Sequence, residues 1–205
     1  MKAASLKITT WNINSVRLRL PLIADFLKSR APDVLCLQET KCRDAEFPMK
    51  DLHSLGYEHI AINGQKGYHG VAVISKRPLR FVEKRDFCEK GDARHICVEI
   101  DARSGPISLH NFYVPAGGDE PDVDINPKFQ HKLDFLDEMR DWIVTEGVAR
   151  YRAADWEASN RGRRLDHILV SEALGGGLER LDVLRDARSW TRPSDHVPVT
   201  IELSD

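Results

Sequence analysis

An acid and an imidazole stand side by side in Ser194-Asp195-His196, directly ahead of the apolar run at residues 197–203. Glu39 follows a second apolar run at 33–38, Asn12 and Asn14 fall at the end of a third at 6–13, Tyr113 closes a fourth at 107–113, and Asp166 lies within 165–170. Taken one at a time, each has an ordinary explanation: a Ser-Asp turn that opens a strand, a charged strand terminus, asparagine caps for a helix, an inward polar side chain. Taken together, they occupy the ends of buried runs, where side chains from different strands can converge on one sheet edge. Mg²⁺ is a hard cation that takes oxygen ligands, through one or two carboxylates plus substrate phosphate, so Glu39 with Asp195 or an asparagine is chemically adequate. Zinc is disfavoured, because no Cys/His cluster has ligand spacing.

Composition narrows the setting. With 41% hydrophobic and 30% charged residues, the 205-residue chain has the profile of one globular domain, expected to span 1–205. Lys plus Arg number 30 against 32 acids, so no overall positive field announces a nucleic acid and any DNA contact must be local. Arg161, Arg163 and Arg164 form the densest basic cluster, while Arg17, Arg19, Lys41, Arg43 and Lys66 lie near strand ends. Solvated surface charge is the commoner explanation for such clusters. Cys36, Cys42, Cys88 and Cys97 show no Cys-x-x-Cys spacing, which implies reduced thiols. No apolar run reaches signal-peptide or membrane-spanning length, so a cytoplasmic location with no membrane contact is expected.

The elements that must position these residues follow from periodicity. Residues 6–13 read as a strand, after which Asn14 and Ser15 offer caps for a helix carrying Leu20, Ile23, Phe26 and Leu27 on one face. Ala31-Pro32 stops that helix. Strands are expected at 33–38, 57–62, 70–75, 80–84, 96–100 and 107–113, separated by Gly and Pro turns. Asn126 then caps a long helix with Pro127 at its first position and Phe129, Leu133, Leu136, Met139 and Ile143 as its buried stripe. Residues 165–170 and 197–203 read as closing strands. Helices alternate with strands early and hairpins fill the middle, which predicts an α/β sandwich of two mixed sheets with helices outside.

One stretch breaks the rhythm. Residues 147–164 are polar and show neither the helical nor the strand period, and a loop that long inside a compact domain argues that an element is missing.

Six ordered motifs carry a resemblance: Trp11-Asn12-Ile13-Asn14, Leu37-Gln38-Glu39-Thr40-Lys41, Gly64-Gln65-Lys66-Gly67, Asn111-Phe112-Tyr113-Val114-Pro115, Arg164-Leu165-Asp166-His167 and Ser194-Asp195-His196. With them the chain resembles the exonuclease III family of DNA-repair nucleases, from the first strand to the C-terminus. The resemblance implies a four-layer α/β/β/α sandwich of the deoxyribonuclease I type. It implies that Glu39 binds Mg²⁺ (Mn²⁺ being the alternative ion), with Asn12 and Asp195 beside it, and that Tyr113 contacts the scissile phosphate. His196 would stabilise charge on that phosphate while Asp166 orients the ring, the pairing that holds a catalytic histidine in one tautomer. Lys66 with Arg161, Arg163 and Arg164 would position the backbone of duplex DNA without reading its sequence. The implied substrates are double-stranded DNA with abasic sites or 3′ ends, and no protein partner is inferred.

The family pattern also requires Gly-Asp-x-Asn on a strand after the long helix, with an Asp that activates water, and this chain lacks it. The break falls near 144–151, where the periodicity also fails. Two alternatives to a cutting enzyme follow: a remnant that binds damaged DNA or a partner without cleavage, and, less favoured by Arg161–Asp166 and Gln65-Lys66-Gly67, a phosphatase of lipids or inositol phosphates.

Overall fold

A computed structural model of the protein describes residues 5–103, 105–145 and 166–204. Its apolar runs pair into two sheets. The larger contains β1 (Ser5–Asn12), β2 (Val34–Gln38), β3 (His59–Asn63), β4 (Val71–Ser75), β8 (Leu178–Val183) and β9 (Val199–Ser204). Their spatial order is β3-β4-β2-β1-β9-β8. β1 and β2 run parallel, Ile8 opposite Val34, and the other neighbours are antiparallel. The smaller sheet joins β5 (Leu79–Glu83), β6 (His95–Ala102) and β7 (Gly105–Phe112) in antiparallel order.

Alternation explains the layers. In β2 and β4 every residue is buried, because both faces are covered, and such strands read as continuous apolar runs. Val34, Cys36, Val71 and Val73 pack with Ile96, Val98 and Ile100 between the sheets. Leu35, Leu37, Ala72 and Ile74 face the other way, onto Ile23, Phe26 and Leu27 of α1 (Leu20–Arg30) and Leu52 of α2 (Met49–His53). Beyond the smaller sheet, Phe135 and Trp142 of α3 (Pro127–Thr145) close on Phe87 and Phe112. Helix, sheet, sheet and helix follow one another, as the sequence patterning predicts. Among the described residues, no helix is long and apolar enough to cross a membrane.

Several expectations need correction. Asn14 and Ser15 do not cap α1; the residue before its first turn is Arg19, with no side-chain cap bond, because Asn14 and Ser15 adopt left-handed backbone (φ 47° and 90°) and turn toward the sheet edge instead. Asn126 does cap α3, its Oδ1 accepting from the Lys128 and Phe129 amides. The stripe of α3 is the expected one only in part: Met139 and Ile143 pack on the smaller sheet as expected, but the buried Phe135 and Trp142 lead it, and Phe129, Leu133 and Leu136 are half-buried. Residues 166–170 form no strand, and Leu169 is 60% exposed. A strand needs a neighbour's N–H and C=O groups, and none among the described residues pairs with this segment. β8, by contrast, lies where no strand was expected; its partly exposed LERLDV sequence lacks the apolar signal of a core strand. Residues 146–165 lie outside the described residues.

His95 is fully buried in the aromatic layer, stacked 4.6 Å from Phe112 and 5.5 Å from His110, with Phe87 and Trp142 edge-on. Its Nδ1 accepts from the Arg85 amide at 3.3 Å. Burial, then the charges of His110 and Arg85, push its pKa down to about 3. An unfolded histidine titrates near 6.5, so between these values the unfolded chain binds the extra proton; stability is intact above that window and falls as pH drops through it. Stability followed by thermal unfolding should therefore fall below pH 6.5 by about 1.4 kcal/mol per pH unit from this ring, and His95→Phe should flatten the dependence. Equal pH slopes for the two proteins would overturn the assignment.

Candidate metal and phosphate site

The sheet topology brings the ends of β1 and β2 and the approach to β9 to one edge of the larger sheet. Asn12, 4% exposed, donates from Nδ2 to Glu39 Oε1 at 2.8 Å, while its Oδ1 accepts from the Asn14 amide at 3.1 Å. Asn14 Nδ2 donates in turn to Asp195 Oδ1 at 3.1 Å. Lys41 closes the cluster, its Nζ 2.9 Å from Glu39 Oε2 and 2.6 Å from Asn14 Oδ1. Glu39 and Lys41 both have positive φ (52°), so the chain bends sharply as it leaves β2 and both side chains stay at the edge. Ser194, buried, donates from Oγ to the Asn12 carbonyl at 2.6 Å, and Trp11 Nε1 donates to the His196 carbonyl at 3.2 Å. These two bonds fix where Asp195 and His196 lie relative to β1.

The second sheet contributes through buried amides. Asn111, 3% exposed, donates to the Leu37 and Ala72 carbonyls at 3.0 and 2.9 Å and accepts from Gln38 Nε2 at 2.7 Å. A buried amide stripped of such partners costs about 1–3 kcal/mol, so this network sets the register between the sheets. Two residues on, the Tyr113 phenol lies near enough to Glu39 to favour the ionised carboxylate. Its backbone is gripped on both sides by Arg94, whose carbonyl accepts from the Tyr113 amide at 2.7 Å and whose Nη1 donates to the Tyr113 carbonyl at 3.1 Å. The guanidinium stacks 4.9 Å from the Tyr113 ring and is paired through Nε with Asp92 at 3.0 Å. His69 packs against the same ring, 5.9 Å away, with its Nε2 3.3 Å from Asp92.

His196 completes the edge, its Nδ1 2.8 Å from Asp166 Oδ2. Burial disfavours the charged ring, but the bond to Asp166 and the charges of Asp166, Asp195 and Glu39 outweigh it and raise the pKa. For Glu39, burial favours the neutral acid, while bonds from Asn12, Lys41 and Tyr113 and the charge of Lys41 overcome it and lower the pKa. Asp195 behaves alike: burial opposes ionisation, and the Asn14 bond with the His196 charge prevails. The edge thus holds ionised carboxylates and an amide facing a histidine that favours its cation. The oxygen-donor set fits a hard divalent ion. The Lys41 ammonium already seated on Glu39 shows that this place calls for positive charge. Among the described residues, no cluster of three or more His, Cys, Asp or Glu is arranged for a metal.

Of the residues singled out from sequence, Asn12, Glu39, Tyr113, Asp166, Asp195 and His196 come together. Lys66 is exposed in the loop after β3, beside Gln65, whose Oε1 accepts from the Ala93 amide. Arg161, Arg163 and Arg164 lie outside the described residues. Trp190 packs on Trp11, their rings 6.0 Å apart, as core. Sequence reasoning missed the roles of Lys41, Arg94, His69, Gln38 and Asn111. A signal existed for Asn111, a polar residue at an inward position of an apolar run. None existed for His69 or Asp92, which only the fold brings to Tyr113.

The chain as a whole is similar to known proteins. The pattern described as the Endonuclease/Exonuclease/phosphatase family matches residues 9–150. Exodeoxyribonuclease III of Haemophilus influenzae is 26% identical over 267 aligned positions, covering 96% of this chain and 99% of the relative. Since the chain has 205 residues, part of the relative's matched length has no counterpart in it. Among solved structures, the 3′ phosphatase NExo from Neisseria, bound to a product DNA hairpin, is 27% identical with a TM-score of 0.74 and covers 97% of this chain and 99% of its own. An AP endonuclease from Archaeoglobus fulgidus is 25% identical with a TM-score of 0.72, over 98% of this chain and all of its own. Sandwich, ordered motifs and the matched pattern lead to one conclusion: the chain belongs to the Endonuclease/Exonuclease/phosphatase family, and over nearly its whole length it is similar to an exodeoxyribonuclease III.

Proposed function

We propose that the protein is a Mg²⁺-dependent DNA-repair phosphodiesterase that acts on duplex DNA at abasic sites and at 3′ ends. The observation that carries this reading is the ionised Glu39 carboxylate, bonded to Asn12 and Lys41, on the same edge as the Asp166-steered His196. The names of the similar proteins support the substrate: an exodeoxyribonuclease, an AP endonuclease and a 3′ phosphatase.

Glu39, with Asn12 and Asp195 close by, would hold the ion. Bound there, Mg²⁺ supplies Lewis-acid stabilisation of the negative charge that gathers on the phosphoryl oxygens. The chain's own groups do the rest. Tyr113, held by Arg94 and His69, presents its phenol as a hydrogen-bond donor to the phosphate. His196 in its cationic form places positive charge opposite the carboxylates, and Asp166 keeps Nε2 turned toward substrate by occupying Nδ1. Lys66 anchors the backbone.

The Gly-Asp-x-Asn motif is absent from the sequence, and we read the break near 144–151 as a missing segment within one domain. The excess of aligned positions over chain length supports that reading. A positioned base contributes about 10²- to 10⁴-fold in rate, so turnover should be slow by that order against a relative with the full set. This absence favours a second reading, a protein that binds abasic DNA without cutting it. Salt-dependent binding with no product over long incubation would select it.

Two outcomes are expected of the enzyme. On a duplex with one abasic site, product should appear with Mg²⁺, vanish with chelator, and drop at least about 100-fold in Glu39→Gln; cleavage in chelator would reject the metal mechanism. Asp166→Asn and His196→Gln should each slow cleavage at unchanged KM, with the double variant no slower than the worse single one, because both remove one oriented imidazolium. Additive losses in that cycle would show that the two side chains act separately.

A further inference from the structure

We infer that Arg19 is a positioning residue that aligns the two loops supplying the metal-side donors; the inference rests on the metal site proposed above. By sequence Arg19 belongs with the basic residues near strand ends. In the structure its guanidinium is used internally. Nη1 donates to the Asn14 carbonyl, Nε to the Arg192 carbonyl at 3.2 Å and Nη2 to the Pro193 carbonyl at 3.1 Å. Three donors on one rigid plane thus reach three carbonyls on two loops, one following β1 and the other preceding β9.

Those loops carry Asn14 and Asp195, whose side chains meet at 3.1 Å. Neither loop is relaxed on its own. Asn14, Ser15 and Arg192 have φ of 47°, 90° and 55°. Such backbone costs about 1–3 kcal/mol per residue and persists only where its surroundings over-determine it. The first loop is tied to the Glu39 segment through the Ser15 amide, 2.7 Å from the Glu39 carbonyl, and the Val16 amide, 3.2 Å from the Thr40 carbonyl. Arg19 extends that tie to the second loop, so Asn12, Asn14, Glu39 and Asp195 keep one mutual geometry. Arg17, two residues earlier, is exposed and only 4.0 Å from Glu46, with no such role.

The sign of the effect separates positioning from charge. Removing a positive group beside a cation site should tighten cation binding by Coulomb's law alone. Losing a clamp should weaken it, as removal of groups that orient metal ligands does by about 10- to 100-fold. A lysine in place of Arg19 would retain the charge yet could not span three carbonyls, so Arg19→Lys should fail as Arg19→Met does.

The test titrates wild type, Arg19→Met, Arg19→Lys and Arg17→Met with Mn²⁺ by calorimetry, and follows amide exchange at residues 14–16 and 194–196 without metal. Both Arg19 variants should bind Mn²⁺ about tenfold or more weakly and exchange faster at both loops, with thermal midpoints near that of wild type and Arg17→Met unchanged. Arg19→Met binding Mn²⁺ as tightly as wild type, or unaltered protection at the two loops, would overturn the inference. A wild type that takes up no Mn²⁺ would sink the metal reading instead, and amide exchange would still decide the clamp.

Discussion

The hydrogen bond from Asn12 to Glu39 is possible only because β1 and β2 run parallel. Parallel pairing puts the C-terminal ends of both strands at one edge, so two residues 27 apart in sequence deliver an amide and a carboxylate to the same point. β9 is antiparallel to β1, and for the same reason its approach, Ser194 to His196, arrives at that edge too. A different hand or register in the centre of the larger sheet would scatter these side chains over opposite ends of the molecule. The site is thus a consequence of sheet order, with β4-β2-β1-β9 as its foundation.

Burial and charge pull in opposite directions at Glu39, Asp195 and His196. Desolvation favours neutral carboxyls and a neutral ring, yet Glu39 and Asp195 are shifted toward ionisation and His196 toward its cation. Mutual hydrogen bonds and opposite charges do this, and they work because the groups are only partly buried and lie close together. The same logic explains the fully buried His95, which has no carboxylate beside it and stays neutral. Two histidines in one fold are tuned apart: deeper burial and the positive charges of His110 and Arg85 lower His95, while Asp166 within hydrogen-bond reach raises His196.

Much of this was legible in sequence, and unevenly so. Buried strands announce themselves as short apolar runs, which is why β1, β2, β4, β6, β7 and β9 were found with shifts of a residue or two. β8 escaped because it is an edge strand with half its residues polar. Residues 166–170 have the composition of a strand but no partner, and pairing is a property of the whole sheet that no local window contains. At the site, carboxylates, amides and the imidazole were found because they end apolar runs. Arg94, Asp92 and His69 were missed because they reach Tyr113 across a loop, and Arg19 was misread because a guanidinium bound to three carbonyls looks, in sequence, like any surface arginine.

The two halves of the site rest on unequal supports. Asn12, Glu39 and Asp195 are backed by the centre of the larger sheet, where Leu35, Leu37, Ala72 and Ile74 are fully buried, and are laced to it by Ser194, Asn111 and Gln38. Asp166 opens a segment that forms no strand, with Leu169 exposed and Val170 as its buried anchor. Opening free energy follows the number of buried apolar contacts and paired backbone groups that must be broken, and among the described residues this segment is held by the packing of Ile168 and Val170 rather than by strand pairing. The oxygen donors are therefore the durable part of the machinery. Orientation of the His196 ring depends on a segment that has no strand partner among the described residues, so loosening there reaches the imidazole before it reaches the metal side.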